Sequence, residues 1–215
     1  MFTHFFLSMR LGLPFLPTSS KYLPMSLTLS NNLDVTELAQ VFDRLFYETW
    51  NTKLEPSPSD PIYLPASDEC SYHRIMYYQD FFSSALHEIS HWCIAGEKRR
   101  TQIDFGYWYK PERSKLEEQE LFERYETKVQ GLEWVLSSAA GKEFFVSCDC
   151  FDQSLLDLEK FRKSITKEAL RIAKSKCLPV RTTKFITALR DHFGVSKKQF
   201  DDYWEKVEIG KVMAG

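Results

Sequence analysis

The segment Ala85-Leu86-His87-Glu88-Ile89-Ser90-His91-Trp92 constrains this chain more than any other. Phe82, Leu86, Ile89 and Ile94 recur at roughly helical spacing, so a central helix is predicted over about 80–95. On that helix His87 and His91 stand one turn apart on the same face. Both imidazoles can then reach one metal ion. Glu88 points to the side, where it can act as a base or orient a ligand. The helix is otherwise strongly apolar, and burying imidazoles without partners is costly. It also holds two of the chain's five histidines. A metal site is therefore a better reading than a polar stripe satisfied inside a core.

A third ligand is available downstream. Leu121, Phe122, Tyr125, Val129, Leu132, Leu136 and Ala139 recur at three and four residues, which predicts a second long helix over about 114–140. Glu126 borders its buried stripe and has Gln130 one turn on, a pairing that suits a ligand with a supporting amide. Glu133, two turns from Glu126, is the next choice. Glu118, Glu120 and Glu123 read as solvated. Two histidines and one carboxylate fit two metals. With Zn²⁺ and a water, Glu88 is the general base and the chemistry is hydrolysis, as in HExxH metallopeptidases. With Fe(II), open positions remain for O2 and substrate, and the chemistry is oxygenation. Spacing does not separate the two, nor a third class that keeps its metal for structure alone. Cys148-Asp149-Cys150 has no second cysteine pair at zinc-site spacing and is not expected to bind metal.

The remaining pattern predicts a predominantly helical α+β domain. A helix from about residue 32 is expected from Leu33, Leu38, Val41, Phe42, Leu45 and Phe46, with Asp34 or Asn32 as cap. The prolines of Glu55-Pro-Ser-Pro-Ser-Asp-Pro61 predict a loop. Short strands are expected at Ile62–Pro65, Arg74–Tyr78 and Phe144–Ser147, and an extended aromatic wall at Ile103–Tyr109. Gly96 is a plausible residue past the central helix, with Lys98, Arg99 and Arg100 suiting a helix C-terminus. Gly141 ends the second helix, and Gly131 marks a close packing point. Three further helices fit 153–176, 181–193 and 196–208, with Ser196 capping the last. The domain is expected to span 25–215. Residues 1–24 are apolar but interrupted by Arg10 and Pro14, and read as a poorly structured extension or a mis-assigned start. No run of 18 or more apolar residues exists, so no membrane span is expected. An odd count of five irregularly spaced cysteines argues for a reducing compartment, the cytoplasm. The net charge of −2 hides an asymmetry: residues 150–215 carry 14 Lys and Arg against 9 Asp and Glu.

The blocks Pro61-Ile-Tyr-Leu-Pro-Ala66, His87-Glu-Ile-Ser-His-Trp-Cys-Ile-Ala-Gly96, Arg99-Arg100, Asp104-Phe-Gly-Tyr-Trp-Tyr109 and Val146-Ser-Cys-Asp149 resemble the elongation factor P hydroxylase family. The resemblance implies an Fe(II)-dependent monooxygenase with O2 as co-substrate. It would hydroxylate the β-lysylated lysine of elongation factor P, a bacterial translation factor. The family's histidine ligands fall on His87 and His91, and its acidic ligand is placed on Glu126. Glu88 is then supportive rather than the base. Familiar 2-oxoglutarate oxygenases use a jelly roll with an HxD…H pattern. Neither is read here, so a 2-oxoglutarate requirement is in doubt. Tyr107, Trp108, Tyr109, Trp92 and Trp134 are candidates to wall the aliphatic stem of the lysine. The basic C-terminal helices and Lys98–Arg100 suit docking of an acidic protein partner. No nucleic acid or membrane partner is implied.

Overall fold

Asp34 starts the first helix: its side chain accepts the Thr36 backbone N–H at 2.8 Å. The computed structural model describes residues 33–79, 81–106, 116–147, 157–210 and 212. Helix α1 (Val35–Trp50) ends at Asn51, whose left-handed φ of 46° is one that Asn tolerates. Three strands follow: β1 (Thr52–Ser57), β2 (Ile62–Leu64) and β3 (His73–Tyr78). Their order is β1-β3-β2. β1 runs parallel to β3, with Thr52 opposite His73 and Ser57 opposite Tyr78, while β2 is antiparallel, with Ile62 opposite Met76. Asp43 on α1 accepts the Leu54 N–H at 2.9 Å and ties the helix to the edge of the sheet.

The expected loop at 55–61 is shorter than its prolines suggested, because Glu55, Pro56 and Ser57 belong to β1. β1 is an edge strand, where proline's missing donor costs no ladder bond on the open side.

Helix α2 (Phe82–Ile94) packs against β3 and against α3 (Leu116–Ala139). Then come α4 (Leu158–Ala173), α5 (Val180–Phe193) and α6 (Lys197–Glu208). Asp157 caps α4, and Ser196 with Gln199 forms a reciprocal capping box on α6. This is the predominantly helical α+β domain expected. No described helix is long and apolar enough to cross a membrane.

Two aromatic groups fill the core. In the first, the Trp92 ring of α2 meets Phe46 and Phe42 of α1 at 4.9 and 5.2 Å, and Phe42 meets Phe185 of α5 at 5.8 Å. In the second, Trp134 of α3 stacks on Phe144 and donates its indole N–H to the Tyr203 hydroxyl of α6 at 2.8 Å. Trp92 and Trp134 are 0% and 1% exposed, so they are core residues and do not wall a substrate pocket. The second half of α3 is buried on every side from Val129 to Ala139, because α2 covers one face and α4, α5 and α6 the others.

Further expectations are corrected. Ile103–Gly106 is a 3-10 turn rather than an extended wall, and Tyr107, Trp108 and Tyr109 lie outside the described residues. Phe144–Ser147 forms no strand; the Gln130 side-chain amide takes the place of a neighbouring strand, accepting the Ser147 N–H at 3.1 Å and donating to the Ser147 carbonyl at 2.8 Å. Gly96 is not in a left-handed conformation. Leu121 is 52% exposed instead of facing the core. Residues 1–32 and Cys148-Asp149-Cys150 fall outside the described residues.

Gly131 does mark a close approach. A Cβ there would stand 2.8 Å from Glu168 Cγ and 3.2 Å from the Ala169 backbone nitrogen of α4. The glutamate can move, but the backbone cannot without parting the helices. Gly131→Val is therefore expected to destabilise the fold by about 1–3 kcal/mol despite valine's better helix propensity. Urea unfolding of the variant checks this.

Candidate metal centre

A helix with imidazoles and a carboxylate inside a core needs partners for them. α2 is buried nearly all round, including His87, Glu88, Ser90 and His91. α3 supplies what they need. The heptad spacing of Glu126 and Glu133 puts both carboxylates on the α3 face that meets α2. Both are buried, at 5% and 6% exposure.

The Nε2 atoms of His87 and His91 lie 3.2 Å apart. The Glu126 carboxylate closes the triangle, with Oε2 at 3.7 Å from His87 Nε2 and Oε1 at 3.6 Å from His91 Nε2. The three ligand atoms all fall within 4.8 Å of one another. Ligands held about 2.1 Å from one ion at angles near 90–110° stand roughly 3.0–3.4 Å apart. The observed triangle matches that to within a few tenths of an ångström, and the N,N,O donor set suits a divalent transition metal.

Glu133 lies outside this triangle. Its Oε2 lies 2.8 Å from His87 Nδ1, on the far side of the ring from the cluster. A carboxylate there holds the imidazole with its proton on Nδ1 and its Nε2 free for an ion. Gln130 lies 3.5 Å from Glu126 Oε2, a long contact, and is chiefly engaged with Ser147.

The electrostatics follow from this arrangement. Burial pushes the His87 pKa down, but the Glu133 hydrogen bond and the charges of Glu133, Glu126 and Glu88 outweigh it and hold it up, at about 10. Burial and the His87 charge push His91 well below its ordinary value. In the metal-free protein the pair therefore carries one proton too many for coordination. An ion must displace it, so affinity rises with pH. Burial pushes Glu88 up to about 8; His87 opposes this and Glu126, Asp104 and Glu133 reinforce it.

Arg181 and Tyr63, which the sequence did not mark, join Arg100, which it did place at the helix C-terminus, in holding α2. Buried Arg181, from the first turn of α5, donates to the carbonyls of Trp92 at 2.8 Å and Ala95 at 2.7 Å, with Cys93 at 3.3 Å. Its guanidinium also lies over the Trp92 ring. Arg100 donates to the Ala95 carbonyl at 2.6 Å. The buried helix-end carbonyls thus meet two cations, which favours the C-terminal pole of the helix. The Tyr63 hydroxyl of β2 donates to the Arg100 carbonyl at 2.9 Å. The Tyr63 backbone N–H also donates to the Asp104 carboxylate.

Glu133→Gln tests the orienting hydrogen bond. It keeps the shape but weakens the acceptor on Nδ1. The expected result is metal affinity lower by about 10–100-fold with the fold intact, read by metal titration beside circular dichroism.

Comparison with known proteins gives the family. The sequence model of the elongation factor P hydroxylase family matches residues 41–203, more than half of the chain. The elongation factor P lysine hydroxylase of Haemophilus influenzae is 42% identical over 153 residues, covering 71% of this chain and 85% of that relative. The matched region contains every residue of the His87, His91, Glu126 and Glu133 cluster, and on these findings the chain belongs to the elongation factor P hydroxylase family.

Proposed function

We propose that this chain is an Fe(II)-dependent hydroxylase that inserts one oxygen atom of O2 into the β-lysylated lysine side chain of elongation factor P. The observation that carries this is the convergence of His87 Nε2, His91 Nε2 and the Glu126 carboxylate in a member of a protein hydroxylase family. Those three residues would hold the ion. Iron bound by two histidines and one carboxylate keeps positions open for O2 and substrate and supplies the oxidising power to break a C–H bond. The second oxygen atom leaves as water, which requires two electrons and two protons from an external reductant.

The chain's own residues prepare the site. Glu133 fixes the ring orientation of His87. The aromatic packing around Trp92 makes α2 a rigid mount. Burial of both histidines keeps bulk water from competing for the ligand atoms. The basic C-terminal third, with 14 cationic against 9 acidic residues over 150–215, suits an acidic protein partner, and the cytoplasm is where a translation factor would be met.

The test is anaerobic loading of the protein with Fe(II), then mass spectrometry of lysylated elongation factor P with and without O2. The expected product gains the mass of one oxygen atom only when O2 is present. His87→Ala and His91→Ala should reduce it below detection, and its persistence in either variant would sink the proposed site. Peptide cleavage by the zinc-loaded protein, abolished in Glu88→Gln, would instead favour a metallopeptidase.

A further inference from the structure

Reduction of O2 at a metal centre leaves an oxidising equivalent behind when no substrate carbon–hydrogen bond is in reach. Tryptophan gives up one electron more easily than most side chains, and such an equivalent passes between aromatic rings that lie close together. Trp92 is peptide-bonded to His91, a member of the metal triangle. It is 0% exposed. Its ring meets that of Trp50, the last residue of α1, at 6.5 Å between centroids and 81° between planes. Phe46 lies beside both, at 4.9 Å from Trp92 and 5.3 Å from Trp50. Trp50 is half-buried, so the pair leads from the metal-bearing helix to the surface.

The two rings differ in what a positive charge on them would meet. The Arg181 guanidinium lies 4.5 Å from the Trp92 ring centre, inside the core, where little water screens it. The Trp92 indole N–H is buried and has no hydrogen-bond acceptor among the described residues. Oxidised Trp92 is therefore opposed by a neighbouring charge and has nowhere to shed its proton. Trp50 has the Lys184 ammonium at 5.3 Å, but Lys184 is exposed and water screens it. The half-buried Trp50 indole can also lose its proton to water. Both differences drive the charge outward, with Trp92 as a relay and Trp50 as its resting point.

We propose that Trp92 and Trp50 form a route that carries an unused oxidising equivalent away from His87 and His91 to the surface. The inference rests on the reading above that the metal centre activates O2. One electron passes from Trp50 through Trp92 to the metal centre, which is reduced by one unit. The Trp50 N–H proton passes to water. A small thiol then returns one electron and one proton to Trp50, which restores the indole, and two thiols so oxidised couple to a disulfide. The net change moves one electron from a thiol to the metal centre and one proton from that thiol to water. The ligands are spared because the oxidised group stands at the surface, within reach of the thiol.

The experiment exposes the Fe(II)-loaded full-length protein to O2 without elongation factor P, with the zinc-loaded protein as a redox-inert control. Freeze-quenched samples are read by electron paramagnetic resonance, and the protein itself by peptide mass mapping. Without thiol, a tryptophan radical and oxygen adducts centred on Trp50 are expected in the iron-loaded protein alone, and added thiol should remove both. Trp50→Phe should abolish that radical and raise oxidation of Trp92, His87 and His91 several-fold, with metal-binding capacity lost correspondingly faster. Trp92→Phe should leave Trp50 unmodified while the histidines are oxidised; Trp50→Phe alone carries the test if Trp92→Phe does not fold. Equal adducts in the zinc-loaded protein, adducts centred away from Trp50, or unchanged histidine oxidation in Trp50→Phe would overturn the route. Adding lysylated elongation factor P then reads the hydroxylase separately. Hydroxylated product, with no Trp50 oxidation when the substrate is left out, overturns the route alone. Trp50 oxidation with no product overturns the hydroxylase reading and leaves the route standing, and the absence of both overturns both.

Discussion

The structure depends on the contact between His87 of α2 and Glu133 of α3. At 2.8 Å, with both side chains buried, it joins the two central helices through a charged hydrogen bond. Such a pair offsets its desolvation only if its geometry is good and its remaining polar atoms are satisfied. His87 meets this condition by turning Nε2 towards His91 and Glu126. The interaction that docks α2 on α3 is therefore also the one that turns His87 Nε2 towards His91 and Glu126. Removing either partner would expose the other to an apolar core.

A metal site needs its ligands fixed more tightly than the fold alone requires. Here the fixing comes from both ends of the structure. Trp92, one residue after His91, is wedged among Phe42, Phe46 and Trp50. The carbonyls at the end of α2 are taken up by Arg181 and Arg100. Burial lowers the pKa of Arg181 to about 10, with Arg100 beside it adding to the effect. The guanidinium remains charged at neutral pH because three carbonyls and an indole face surround it. On the other helix, Gly131 lets α4 approach the backbone of α3, which keeps Glu126 and Glu133 facing α2.

The charge distribution has an order from inside to outside. The innermost carboxylates, Glu126 and Glu133, are committed to histidines. Glu88, next to His87 in the chain, is pushed up to about 8 by burial, and Asp104 lies exposed. The C-terminal third is basic by contrast.

Much of this was legible in the linear chain. The helical period around His87 and His91, the stripe around Val129 and Leu132, the cap at Asp34 and the capping box at Ser196 are local properties, determined by residues within one or two turns. The grouping of His87, His91 and Glu126 could be anticipated because two helices with polar residues on otherwise apolar faces have few ways to satisfy them. Proline suggested a loop at Pro56, but an edge strand accommodates it, and edge position is set by the whole sheet. Phe144–Ser147 lost its strand to a side chain, Gln130, that periodicity cannot place. Glu126 and Glu133 were both candidate ligands by spacing; only the rotation of α3 against α2 assigned one to the cluster and the other to the back of His87. Arg181 reaches α2 from almost ninety residues away in sequence. The sequence by itself determined which helices bear His87, His91 and the two carboxylates and on which faces they stand, since these follow from side-chain type and short-range period. Tertiary structure decided which carboxylate faces which nitrogen, and that Arg181 joins Arg100 at the end of α2, because those depend on distances between elements that no local pattern encodes.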